Sequence, residues 1–100
     1  MPILVKSSSG LSVEEVLNLL KEKPQSSRIN FLIKNINDYI ELLNRKNEIK
    51  RKTEDEINSS DDEAVRILLT DHLNEVNNEI TTVEKHLKMN LDVALSIDFN

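Results

Sequence analysis

The 100-residue chain has no cysteine and no tryptophan, one glycine, two prolines and three aromatic side chains, Phe31, Tyr39 and Phe99. Without cysteine there is no disulfide framework, thiolate zinc site, iron–sulfur cluster or cysteine nucleophile. A lone glycine, Gly10, cannot build a phosphate-cradling loop or a dinucleotide fingerprint, and so few turn residues argue against a sandwich or barrel. No apolar run approaches the ~18 residues of a membrane span. Residues 1–6 show no charged start followed by a long apolar stretch, so no secretory signal is read there and the cytoplasm is the expected location.

What the chain does have is aliphatic: 14 Leu, 10 Ile and 7 Val must form the core. Thirteen Lys and Arg against 18 Asp and Glu give a net charge of −5. On average that field repels a polyanion, which argues against nucleic acid as a general partner.

Residues 2–6 form a short β-prone run, followed by a serine-rich stretch, 7–10, with the composition of a flexible linker. A helix is expected over 12–23. Ser12 and Glu15 have the spacing of a capping box, and Leu11 and Val16 that of a hydrophobic staple. Val13, Val16, Leu17 and Leu20 share one face, and Pro24 ends the helix. A long helix follows over 27–58, with Ile29, Leu32, Ile33, Ile36, Ile40 and Leu43 at helical spacing. Ser60 and Glu63 suggest a second capping box, opening another long helix over 61–90 with Val65, Leu69, Leu73, Val76, Ile80, Val83 and Leu87 as its stripe. A short turn between them implies an antiparallel helical hairpin, a short coiled coil. Beyond Asn90 the pattern switches to strict alternation. Leu91, Val93, Leu95, Ile97 and Phe99 interleave with small or polar residues, which predicts a strand over 91–99. The competing reading carries the third helix on through Leu91, Ala94 and Leu95. The expected fold is mainly α within the α+β class, ordered β-α-α-α-β, as one domain with both strands at the hairpin base.

Two features leave surface without a partner. A two-stranded sheet has open edges, so the 91–99 strand is a candidate for pairing with a second copy across a two-fold axis. On the second helix Phe31, Leu42 and Ile49 lie on the side away from Ile29. The short first helix reaches Phe31 and not Ile49. At the hairpin tip residues 64–69 are apolar over more than half the circumference, Ile67 points away from the stripe, and Leu68 adds to the excess. Ile49, Ile67, Leu68, Leu42 and Phe31 are therefore the candidate partner-binding residues, at the tip and outer face.

The chemistry-bearing residues are sparse. His72 and His86 sit about 21 Å apart on one helix at ~1.5 Å per residue, too far to share a metal. His72 reads as a partly buried residue flanking the stripe. No serine is paired with a histidine and an acid, so neither catalysis nor a cofactor is expected. Arg45, Lys46, Lys50, Arg51 and Lys52 form the one basic cluster. Glu41, Glu48, Glu54, Asp55 and Glu56 lie at i,i+4 spacing from it, as on a solvated, ion-paired face. The sequence thus points to a non-catalytic protein–protein interaction module. It would be a small acidic regulator, adaptor or inhibitor acting by surface presentation, and a homodimer. The alternative is a small-ligand or nucleic-acid binder using a dimer-interface pocket or the basic tip at 45–52.

Overall fold

The computed structural model describes residues 3–97 and contains three helices: α1 (Val13–Glu22), α2 (Ser27–Ser59) and α3 (Glu63–Ser96). The first begins as its sequence dictates. The Ser12 hydroxyl accepts from the Glu15 amide, and the Glu15 carboxylate accepts from the Ser12 amide, a reciprocal capping box. Ser26 caps α2 by accepting from the Ile29 amide. The third helix departs from expectation. Ser60 ends α2, and the N-cap of α3 is Asp62, whose carboxylate accepts from the Ala64 amide, so no Ser60–Glu63 capping box forms. An anionic cap there also suits the positive end of the helix dipole.

Two contacts fix the register of the hairpin. Lys46 pairs with Glu79, and seven residues nearer the base of α2 the Tyr39 ring meets His86, seven residues further along α3, with ring centroids 6.2 Å apart. Equal steps in opposite directions mean antiparallel helices with no slip between the two levels. Leu42 is therefore level with Val83, Ile49 with Val76, and Phe31 with Val93 and Ala94. The α2 seam runs Ile29, Leu32, Ile36, Tyr39, Leu43, Lys46, Lys50, Thr53 and Ile57, alternating steps of three and four as a coiled coil requires.

The core is concentrated at one end. Val13, Val16 and Leu20 of α1 share one buried cluster with Ile29, Leu32, Ile36 and Leu43 of α2 and Val76, Ile80, Leu87, Leu91 and Ala94 of α3. Leu20, Ile36, Leu43, Leu87, Leu91 and Val16 are the largest fully buried side chains. Tipward of Leu43 on α2 the only buried residue is Thr53, whose hydroxyl donates to the Ile49 carbonyl at 2.8 Å. Val65, expected on the buried stripe, is exposed. The result is a rod of 61 × 19 × 18 Å with a radius of gyration of 17.3 Å, against about 13 Å for a compact domain of this length.

Both expected strands are absent among the described residues. Residues 91–96 continue α3, with Ile97 as its C-cap. Helix wins because Leu87, Leu91 and Ala94 prolong the buried stripe at steps of four and three. It also satisfies its own backbone hydrogen bonds, which an isolated strand could not do. Leu95 and Ile97, which alternation placed on a strand face, instead line a cavity of about 190 Å³ with Val16, Leu19, Leu20, Lys23 and Ala94. Val93 is left outside the stripe at 50% exposure. Phe99, the last member of the proposed strand, lies outside the described residues. With the strand goes the edge-paired dimer that Leu91, Val93, Leu95, Ile97 and Phe99 suggested.

At the other terminus, the 2–6 run reduces to a single antiparallel bridge between Lys6 and Ser12, with residue 2 outside the described residues. The expected linker at 7–10 is a closed loop. The Ser7 amide donates to the Leu11 carbonyl at 2.9 Å, and the Gly10 amide to the Ser7 carbonyl at 3.0 Å. Gly10 sits at φ 88°, where a side chain would be strained. The loop is tied to α3 by Asp92, which accepts from the Ser8 amide at 2.7 Å and from the Ser8 hydroxyl at 2.6 Å. These two bonds, the hydroxyl first, hold the Asp92 carboxyl below its ordinary value of 3.8, and Lys88 adds to the effect.

Two outcomes follow for thermal and denaturant unfolding. Leu87→Ala at the base is expected to cost about 2–5 kcal/mol, whereas Lys50→Leu, filling a polar seam position in the arm, is expected to gain about 0.5–2 kcal/mol. Asp92→Asn is expected to lower the melting temperature at neutral pH. Because the folded carboxyl is depressed, its stabilisation is complete above the unfolded value and lost as pH falls through the folded one. The gap between wild type and variant therefore closes only in acid, below about pH 4, as melting curves from pH 7 to 2 would register.

Candidate functional site

Tipward of Leu43 the hairpin is an arm of two helices alone, since α1 ends at the base. Its seam carries Lys46, Lys50 and Thr53 where the basal seam carries Ile36, Tyr39 and Leu43. Lys46 is satisfied by Glu79 across the seam. A polar residue at a coiled-coil seam specifies register at some cost in stability.

The five candidate partner-binding residues are not gathered in one place. Phe31 lies at the base and is 62% exposed, so α1 does not cover it as its reach suggested. About 27 residues of helix, roughly 40 Å at 1.5 Å per residue, separate its level from that of Ile67 and Leu68. Leu42 is half-buried in a shallow groove with Lys46, Asn78, Glu79, Thr82 and Val83. Ile49 is exposed one further step along the arm. Ile67 and Leu68 are 57% and 69% exposed. They diverge by about 100° around α3, so Ile67 alone of the two lines a groove at the tip with Ile57, Glu63, Arg66, Thr70 and Asp71. The tip is acidic on its α3 side. Between 61 and 79 there are six carboxylates, Asp61, Asp62, Glu63, Asp71, Glu75 and Glu79, and besides His72 one base, Arg66.

The basic cluster is partly consumed by local pairing. Arg51 donates to Glu48 at 2.6 Å and to Asp55 at 3.1 Å. The hydrogen bond from Arg51 holds the Glu48 carboxyl below its ordinary value, and the same bond raises Arg51. The expected pairing of Glu48 with Lys52 gives way to this i,i+3 fork, because a planar guanidinium engages both carboxylate oxygens at once. With Lys46 held by Glu79, the cluster's unpaired cations among the described residues are Arg45, Lys50 and Lys52, and Lys50 is half-buried in the seam.

His72 is exposed rather than partly buried, because its position flanks the arm, where there is no third helix to cover it. His86 is exposed beside Tyr39. Among the described residues no three His, Asp or Glu side chains are grouped to hold a metal, and no helix is long and apolar enough to cross a membrane.

Sequence reasoning missed the Ser8–Asp92 clamp and the cross-seam Lys46–Glu79 pair. The first has no local signal, since 84 residues separate its members. The second was legible in principle: Lys46 and Glu79 both fall at or beside seam positions once a heptad register is written out. Comparison of the chain with protein-family models, with curated proteins and with solved structures finds no match.

Proposed function

We propose that the protein is a non-catalytic interaction module, a small acidic regulator, adaptor or inhibitor that works by presenting the end of a helical arm to another protein. The observation that carries this reading is the tip groove. Ile67, more than half exposed, stands beside Ile57 in a rim of Glu63, Arg66, Thr70 and Asp71. An apolar centre within a charged rim is the layout of a protein-binding patch, in which the centre supplies affinity and the rim orientation. The surplus of acid on this side of α3 favours a partner with an apolar anchor ringed by Lys or Arg. The arm holds the patch away from the base, so occupation of the groove need not disturb the core.

The basic stretch favours this reading over polyanion binding, since Lys46 and Arg51 are already committed to carboxylates. The test compares bait proteins in cross-linking capture from the native host: wild type, Ile67→Asp, and a charge-reversed variant at Arg45, Lys50 and Arg51. A protein held by wild type and by the charge-reversed variant, and lost with Ile67→Asp, is the expected result, with circular dichroism of all three unchanged. Retention unaffected by Ile67→Asp would overturn the tip assignment. Duplex binding that is steep in salt and lost in the charge-reversed variant would overturn the protein-partner reading itself.

A further inference from the structure

Nine large hydrophobic side chains are exposed among the described residues, and four of them fall on one flank of the hairpin. The groove of Leu42, Lys46, Asn78, Glu79, Thr82 and Val83 identifies that flank on both helices. On α2, Phe31 lies eleven residues before Leu42 and Ile49 seven after it, so at ~100° per residue both come within about 20° of Leu42. On α3, Leu68 lies eleven residues before Glu79 and Val93 eleven after Thr82, again within about 20°. The antiparallel register sets Phe31 level with Val93 and Leu42 level with Val83. Phe31, Val93, Leu42, Val83, Ile49 and Leu68 thus recur along one side as apolar positions, with polar residues such as Asp38, His86 and Glu75 between them. They span about 40 Å at ~1.5 Å per residue.

We infer that this flank is where a second copy of the chain packs, side by side, about a two-fold axis parallel to the hairpin, completing a four-helix bundle. The inference deepens the interaction-module reading by supplying its homodimer with a surface, now that the strand edge is absent. Charge selects both the occupant and the axis. Beside these apolar positions, α2 carries Glu41 at the base and then Arg45 and Lys52 in the arm. At the matching levels α3 carries Lys85, then Glu79 and Glu75. A two-fold along the hairpin lays each α2 on the other copy's α3 at equal levels, so every one of these signs meets its opposite. It also sets Phe31 against the second copy's Val93 and Leu42 against its Val83. A two-fold across the hairpin would instead stack α2 on α2 and α3 on α3, and these pairings between α2 and α3 would be lost. In the chosen arrangement every neighbouring pair of helices is antiparallel, the ordinary packing of a four-helix bundle, and the face is self-complementary, as a two-fold interface must be. The patch that carries the proposed partner, at Ile57 and Ile67, lies on the other flank and stays open.

Light scattering coupled to size exclusion, over a concentration series of the full chain, tests this with variants at exposed positions. Wild type is expected at twice 11.5 kDa. Phe31→Asp is expected to weaken the dimer about 30-fold or more. Lys52→Glu and Glu75→Lys are each expected to weaken it, and the double variant to restore it. Ile67→Asp is expected to remain dimeric, which separates failure of this surface from failure of the tip. A wild type that stays monomeric overturns the proposal, as does a dimer indifferent to Phe31→Asp. Single charge variants that weaken a dimer the double variant does not recover would overturn the two-fold placed along the hairpin.

Discussion

Everything in this molecule hangs on the junction at its base, where α1 closes over the seam between the two long helices. Val16 and Leu20 share one buried cluster with Ile36, Leu43, Leu87 and Leu91, all essentially inaccessible to solvent. Two antiparallel helices alone bury only a narrow seam. The third helix converts that seam into a core by covering its open side, and the Ser8–Asp92 clamp anchors the loop that delivers it. Because α1 has only ten residues, three-helix packing stops near the base, and beyond Leu43 the two-helix arm keeps only Thr53, Val76 and Ile80 buried.

The arm follows a different rule. Its seam keeps the coiled-coil spacing but places Lys46, Lys50 and Thr53 where aliphatics would stabilise most. Pairing of Lys46 with Glu79 and the local hydrogen bond of Thr53 satisfy the polar groups, so the register holds while the apolar contribution is small. Meanwhile Ile49, Val65, Ile67 and Leu68 face outward. Polar residues inside and apolar residues outside invert the usual partition of a two-helix hairpin. The inversion fits the proposal that a second copy and a partner protein cover the outer faces of the arm.

Much of the fold was legible in the sequence, because helix signals are local. The Ser12–Glu15 box, Pro24 and the stepped aliphatics of both long helices locate the three helices to within about two residues, except at the end of α3. The main misreading, at 91–99, has an identifiable cause. Alternation there reflects two demands on one helix: Leu91 and Ala94 continue the seam, while Leu95 and Ile97 turn toward α1. Period-two and period-3.6 patterns coincide when a helix is covered on two sides, and only the position of α1 in space distinguishes them. The outward aliphatics were visible from helical angle alone. Their division into a flank stripe and a separate tip groove needed the register between α2 and α3, which no local pattern supplies.

The central claim is an uneven distribution of stability, with a closed base and a weakly cored arm that, on the proposed reading, partners complete. Amide hydrogen exchange read residue by residue across a dilution series addresses it directly. The account predicts that amides of 32–43 and 80–91 exchange slowest at every concentration. Those of 47–57 and 66–73 should exchange markedly faster at high dilution and become protected as concentration rises. Uniform protection along both long helices in the dilute protein, unchanged on concentrating it, would contradict the account.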